Sequence, residues 1–257
     1  MKGILMIFRK VFLAILFIAS AFIFVAPAMS QFKNVAVGIG IQTTSILIDN
    51  PANWPILERD TGVKHDVGGG FKGSQLGYSI RADIPVDTGN RFTIPVGFDY
   101  TIFEAKQRVP IMPQTTLFMR HTINVPTIIL GLNYKLFKFP IANVWGFVGI
   151  ETRSSFILPE NFYVEMEYRA YDSVYVNNSK AKSNAFRFGG DFKFGFEGEI
   201  SKPWFVNVNA GFGAMNLFGR DDARGELLTP IGPPLTQETS ESVVWNFHFG
   251  LLLQYRF

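Results

Sequence analysis

After residue 33, apolar and polar residues alternate along most of the chain, which is the period of a β-strand with its two faces in different surroundings. In 91–102, Phe92, Ile94, Val96, Phe98, Tyr100 and Ile102 fall on one face, and Thr93, Pro95, Gly97, Asp99 and Thr101 on the other. In 186–200, Phe186, Phe188, Phe192, Phe194, Phe196 and Ile200 oppose Arg187, Asp191, Lys193, Glu197 and Glu199. The last segment sets Phe247, Phe249, Leu251, Leu253, Tyr255 and Phe257 against Asn246, His248, Gly250, Gln254 and Arg256. The pattern predicts eight strands, at 34–48, 76–87, 91–105, 123–138, 143–157, 185–200, 204–218 and 242–257. Each reaches the roughly 9 to 11 residues that a tilted strand needs to cross a bilayer.

The connectors alternate between long (49–75, 106–122, 158–184, 219–241) and short (87–90, 139–142, 201–203). An even strand count puts both ends on the side of the short turns, with the long loops opposite. A soluble sandwich would turn the apolar face inward. It requires neither strands of this length nor the alternation of loops. A membrane barrel turns that face to lipid and satisfies every backbone group by closure. The expected fold is therefore all-β: a transmembrane antiparallel up-and-down barrel of eight strands, or ten if the hairpin within 158–184 also crosses. Phe92, Tyr134, Phe139, Trp204, Tyr255 and Phe257 gather next to the short turns, as an interfacial aromatic girdle does.

Composition sharpens this picture. The formal charge of +3 comes from Lys2, Arg9 and Lys10; the other 21 basic residues match the 21 acidic ones. No basic footprint for nucleic acid remains. Residues 1–10 are basic, an apolar run follows, and Ala28 and Ser30 are small residues before Gln31, so 1–30 reads as a cleaved signal peptide and 31–257 as one barrel domain. A retained membrane anchor is the competing reading of the same run. Cysteine is absent, which excludes disulfides and thiol chemistry.

The terminus LLLQYRF resembles the C-terminal assembly signal of bacterial outer-membrane proteins, with Phe257 last, Tyr255 two before it, and Leu253, Leu251 and Phe249 at alternate positions. The mature chain resembles the porin-like eight-stranded outer-membrane barrel group. The resemblance implies outer-membrane lipid and the outer-membrane insertion machinery as partners. A pore does not follow from the fold.

Alternation turns Arg81, Lys135, Arg153, Arg187, Lys193 and Arg256 inward, together with Asp83, Asp99, Glu151, Asp191, Glu197 and Glu199. Equal numbers of each sign predict mutual pairing in a narrow interior. This supports either a salt-bridged plug in a structural or surface-interaction barrel, or a charge-lined narrow channel. The many inward glycines fit a cavity, which would suit a channel or a transporter of small hydrophobic solutes, or simply room for long side chains. A lipid-modifying enzyme or protease would need a histidine beside an acid. The candidates are His65 next to Asp66, His121 close to the outer rim, and His248 inside; no triad spacing stands out. Neither a cofactor nor a metal site is expected. Tyr163, Tyr168, Tyr171 and Tyr175 sit in the third long loop and form a candidate contact surface for an extracellular ligand.

Overall fold

The computed structural model describes residues 34–57, 68–140, 142–159, 161–179, 184–219 and 242–257. The strands in chain order are β1 (Ala36–Ile46), β2 (Ser74–Pro85), β3 (Phe92–Met112), β4 (Thr115–Lys138), β5 (Val144–Ile157), β6 (Asn161–Tyr168), β7 (Ser173–Ser179), β8 (Ala185–Ser201), β9 (Trp204–Phe218) and β10 (Trp245–Arg256). Every pairing is antiparallel. β1 pairs β2 and β10, and the β3–β4 pairing closes a ring of β1, β2, β3, β4, β5, β8, β9 and β10. The ring leaves no sheet edge within it, so its backbone needs no water. Asn34 and Phe257 seal the seam between the ends: Asn34 N donates to Phe257 O at 3.0 Å and Phe257 N to Val35 O at 3.0 Å.

β6 and β7 stand outside the ring. β6 follows β5 along β4, with Asn161 opposite Thr122 where Ser155 is opposite Thr127. β7 folds back on β6 and leads to β8. The hairpin therefore prolongs two barrel strands beyond the band and does not cross it, which settles the count at eight over ten. The segment 106–122, expected as a loop, is instead strand: β3 and β4 continue as one long hairpin turning at Pro113 and Gln114. The pattern looks like a loop there because the apolar face changes sides at Ile102 and Phe103. Below that point the outward residues are apolar (Phe98, Tyr100, Ile102). Above it they are Glu104, Lys106 and Arg108, while Phe103, Ala105 and Val109 are buried inside.

The lipid-facing band is direct to trace. Ile39, Ile150, Phe192 and Leu251 project outward with about half of each side chain uncovered. From Phe92 to Ile102, ten steps of about 3.3 Å at a tilt near 40° give a height of about 25 Å. Aromatic pairs mark its lower rim: Phe92 with Tyr134 (centroids 4.6 Å apart), Trp204 with Tyr255 (5.3 Å), Tyr255 with Phe257 (5.0 Å) and Phe137 with Phe139 (5.2 Å). The β2–β3 turn at this end is built on Asp87, whose carboxylate accepts from Phe92 N (2.6 Å), Gly89 N (3.1 Å) and Arg91 N (3.2 Å). Desolvation pushes that carboxyl upward, but the three N–H donors outweigh it and hold it below the ordinary carboxylate range.

Candidate functional site

Three layers fill the barrel, and each follows from which strands bring which side chains inward. The lowest lies near the short turns. Lys135 on β4 and Arg256 on β10 both bond Glu197 on β8, Lys135 Nζ at 2.7 Å. Gln254 Nε2 on β10 donates to Asp83 Oδ2 on β2 at 2.6 Å. The Arg256 guanidinium also lies over the Phe205 ring, 3.9 Å from its centroid.

The middle layer is one continuous chain of charges. Lys193 Nζ lies 2.8 Å from Glu151 Oε1, and the same oxygen is 2.6 Å from Arg81 Nη1. Arg81 Nη2 reaches Asp99 Oδ2 at 3.3 Å, and Arg153 Nη2 reaches that oxygen at 3.2 Å. Arg153 Nη1 continues to Asp191 Oδ2 at 2.9 Å, where His248 Nδ1 approaches to 3.7 Å. Ser79 Oγ donates to Asp99 Oδ1 at 2.6 Å and accepts from Arg81 Nε at 3.1 Å. All of these residues are buried. The geometry decides what the layer does. β2 and β5 stand three places apart in a ring of eight, so the Arg81–Glu151 bridge spans the lumen and does not run along the wall.

Glycine makes this possible where the wall must be thin. A Cβ on Gly97 would lie 2.9 Å from Arg81 Cγ, and one on Gly131 would lie 2.8 Å from Glu151 Cγ. Those inward glycines seat long charged side chains. Above the charges, a cavity of about 10 Å³ touches Thr44, Thr127, Arg153, Ser155 and Asn246. That is room for about one water.

The top layer is apolar and was not foreseen from the sequence, which suggested a polar interior throughout. Phe103, Ile123, Val125, Met119 and Met215 from the wall pack against Ala52, Ile56 and Phe71 from the first long connector. That connector folds into the mouth in two strapped pieces. Phe71 N donates to Ala52 O (2.9 Å), Gly69 N to Pro51 O (3.0 Å), and Gln107 exchanges two hydrogen bonds with Leu57 (2.7 and 3.0 Å). Asn50 starts a single 3-10 turn, Pro51–Asn53, its side chain accepting from Ala52 N at 2.9 Å.

The remaining residues singled out in the sequence fall in separate places. Arg187 is buried on β8 and donates to Phe186 O at 2.8 Å. Glu199 lies at the rim and accepts from Asn143 Nδ2. His121 does not reach an open rim: it is buried in the apolar layer, its Nδ1 donating to Gly69 O (2.9 Å), its ring 4.7 Å from Phe71. His65 and Asp66 lie outside the described residues, as do the signal segment 1–30 and most of the fourth long connector. Phe249, Leu251, Leu253 and Tyr255 project from β10 toward lipid, and Phe257 ends the seam. The four tyrosines do not form one patch. Tyr163 points outward from β6, its hydroxyl donating to Glu165 Oε2 at 2.6 Å, a bond that raises it above the ordinary phenol range. Tyr168 and Tyr175 lie on the opposite face by alternation, and Tyr171 stands at the tip, 82% exposed.

These features define the class: an eight-stranded antiparallel barrel of outer-membrane plan, with an apolar outer band, a charge-bridged middle and a capped mouth. No family model matches the chain, and no curated protein does. Among solved structures it is similar to Ail of Yersinia pestis in complex with the heparin analogue sucrose octasulfate (8% identity, 88% of this chain and 99% of that one, TM-score 0.39). It is also similar to Neisserial surface protein A (11%, 87% and 96%, TM-score 0.39) and to the outer membrane protein AlkL (12%, 88% and 90%, TM-score 0.37).

Proposed function

We propose that this chain is an integral outer-membrane barrel that does not conduct, and that it acts at the cell surface through the parts projecting beyond the band. The observation that carries the reading is the Arg81–Glu151 bridge between strands on different sides of the lumen, buried among further ion pairs and closed above by Phe71 and Phe103. Mutual pairing removes the cost of isolated charges in a low-dielectric interior. The polar contents are then structural, and no acid–base role is assigned to His121 or His248, both buried. The role proposed is non-enzymatic, with the β3–β4 and β6–β7 hairpins presenting Tyr171 and Tyr175 to an extracellular ligand. Residues 1–30 act as the export signal, and the β10 face from Phe249 to Phe257 addresses the chain to the outer-membrane insertion machinery.

A narrow channel is the alternative. It requires both guanidinium bridges, Arg81 to Glu151 and Arg153 to Asp99, to part at once. Planar-bilayer recording of the refolded chain decides between the two. The expected trace has no stable unitary steps. Steps whose size shifts when Arg153 or Asp99 is neutralised would sink the plugged reading.

A further inference from the structure

Outside the lumen, one concave site has no place in the reading above. A cavity of about 410 Å³ opens on the outer wall, within the size range of small-molecule sites. Its floor is a single register row across four strands: Lys106 on β3 lies opposite Arg120 on β4, Arg120 opposite Tyr163 on β6, and Tyr163 opposite Asn178 on β7. Thr122 and Asn161, also paired, form the edge toward the membrane, and Phe118 forms the far edge. Alternation turns this whole set away from the lumen.

The chemistry of the row is that of an anion site with amide and hydroxyl donors. Glu104 Oε1 lies 2.7 Å from Arg120 Nη2 and 3.3 Å from Lys106 Nζ, so one carboxylate gathers two cations that each remain half exposed. Arg108 stands over Phe118, 5.8 Å from the ring centroid. Glu165 is engaged by the Tyr163 hydroxyl. Three cations thus meet two carboxylates, and two of the cations, Lys106 and Arg120, line the cavity. Guanidinium and ammonium donors converging with side-chain amides suit a phosphate carried on a sugar-like body.

Height selects the source of that phosphate. Glu104 and Lys106 lie two and four residues beyond Ile102, where the alternating apolar outward run of β3 ends. At about 3.3 Å per residue and a tilt near 40° they rise about 5 to 10 Å above the apolar band. Glu104 thus falls within the headgroup layer, roughly 5 to 8 Å on each side of the hydrocarbon core, and the row of Lys106 and Arg120 lies just beyond it, within reach of their long side chains. The side is that of the long loops, and the cavity faces laterally, toward neighbouring lipids.

We infer that this groove binds the phosphorylated headgroup of an outer-leaflet glycolipid, held by Lys106 and Arg120. The inference rests on the membrane placement proposed above and adds a site to it. The test uses the full refolded chain in nonionic detergent, titrated with fluorescent diphosphorylated lipid A, with dephosphorylated lipid A and sodium phosphate as separate arms. Saturable binding of the phosphorylated lipid is expected, with loss of about tenfold or more in affinity for the double variant K106Q/R120Q. Lys202→Gln removes a charge from a turn at the opposite end and is expected to bind normally. Glu104→Gln frees both cations and is expected to tighten binding several-fold. Unchanged affinity in K106Q/R120Q, or an equal loss in Lys202→Gln, would overturn the site. Should the double variant not fold, Glu104→Gln decides alone, with unchanged or weaker binding counting against the groove. Full displacement of the lipid by sodium phosphate at matching concentration would reassign the groove to a free anion and overturn the lipid. A chain that fails to insert into vesicles refutes the membrane placement, whereas an inserted chain with unselective binding refutes this site alone.

Discussion

Arg81→Met tests the idea that the lumen is held by charges bridging it. The substitution keeps a long side chain in place and removes only the guanidinium, so packing loss is small beside charge loss. Arg81 is 3% exposed and touches Glu151, Asp99 and Ser79. Removing one partner of a buried ion pair costs about 3 to 5 kcal/mol, because the other charge stays buried without it. The lower end applies here, since Lys193 still serves Glu151, and Arg153 and Ser79 still serve Asp99. The expected loss is about 3 kcal/mol, read from reversible urea unfolding in vesicles by tryptophan fluorescence. Combining it with Glu151→Gln closes a double-mutant cycle with an expected coupling of about 1 to 3 kcal/mol. Salt adds an independent check: a pair shielded from water keeps its coupling between 0.1 and 1 M salt, a range over which the Debye length falls from about 10 to 3 Å. A loss below about 0.5 kcal/mol, or coupling that vanishes in high salt, would refute a bridge buried across the lumen.

Three further outcomes follow from other layers. Phe71→Ala is expected to release the mouth cap while the ring stays intact, at a cost of about 3 kcal/mol for a fully buried ring; limited proteolysis should then cut within 47–73 while the band still resists cold SDS, and loss of that resistance would mean the cap and the ring are one unit. Asp87→Ala removes the acceptor of the β2–β3 turn. Because that carboxyl is depressed in the folded state, its contribution is full above the unfolded pKa of about 3.9 and fades as pH falls through the lower folded value; the gap in urea midpoint between variant and parent should be present at pH 7 and shrink below about pH 4, and a gap that is constant with pH would refute the carboxylate's role. Deleting Phe257 removes the residue that closes the seam with Asn34 and Val35; cell fractionation should show reduced insertion, and parental levels would count against the reading of the terminus.

The ring itself was legible because lipid and lumen impose opposite demands on neighbouring residues. Eight segments with one apolar face and short turns at alternate junctions leave few other closed arrangements, and the register bears out that count. The inward charges were equally legible as a set, since alternation alone separates Asp99 and Arg153 from Phe98 and Ser154. Which charge meets which was not. Arg81 and Glu151 are 70 residues apart and meet only because closure carries β2 and β5 to facing parts of the wall. Local pattern carries no information about partners across a lumen.

The projecting β3–β4 hairpin was misread for a more instructive reason. Ile102 and Phe103 are adjacent apolar residues, and two in a row look like the end of an alternating strand. The strand does not end there; its surroundings do. Past the band, water replaces lipid outside, and the first connector replaces ionic side chains inside. The rule that sends Phe98 outward therefore sends Phe103 inward, packed 5.5 Å centroid to centroid against Phe71. The same reversal on β4 turns Leu117, Met119 and Ile123 inward and Phe118, Arg120 and Thr122 outward, where Ile128 and Leu130 below them face lipid. A phase flip within one uninterrupted strand thus locates the outer membrane boundary from sequence to within a residue or two. Arg120 and Lys106 gain their meaning from it: below the flip an outward cation would sit in hydrocarbon, whereas just above it the same cation meets the headgroups.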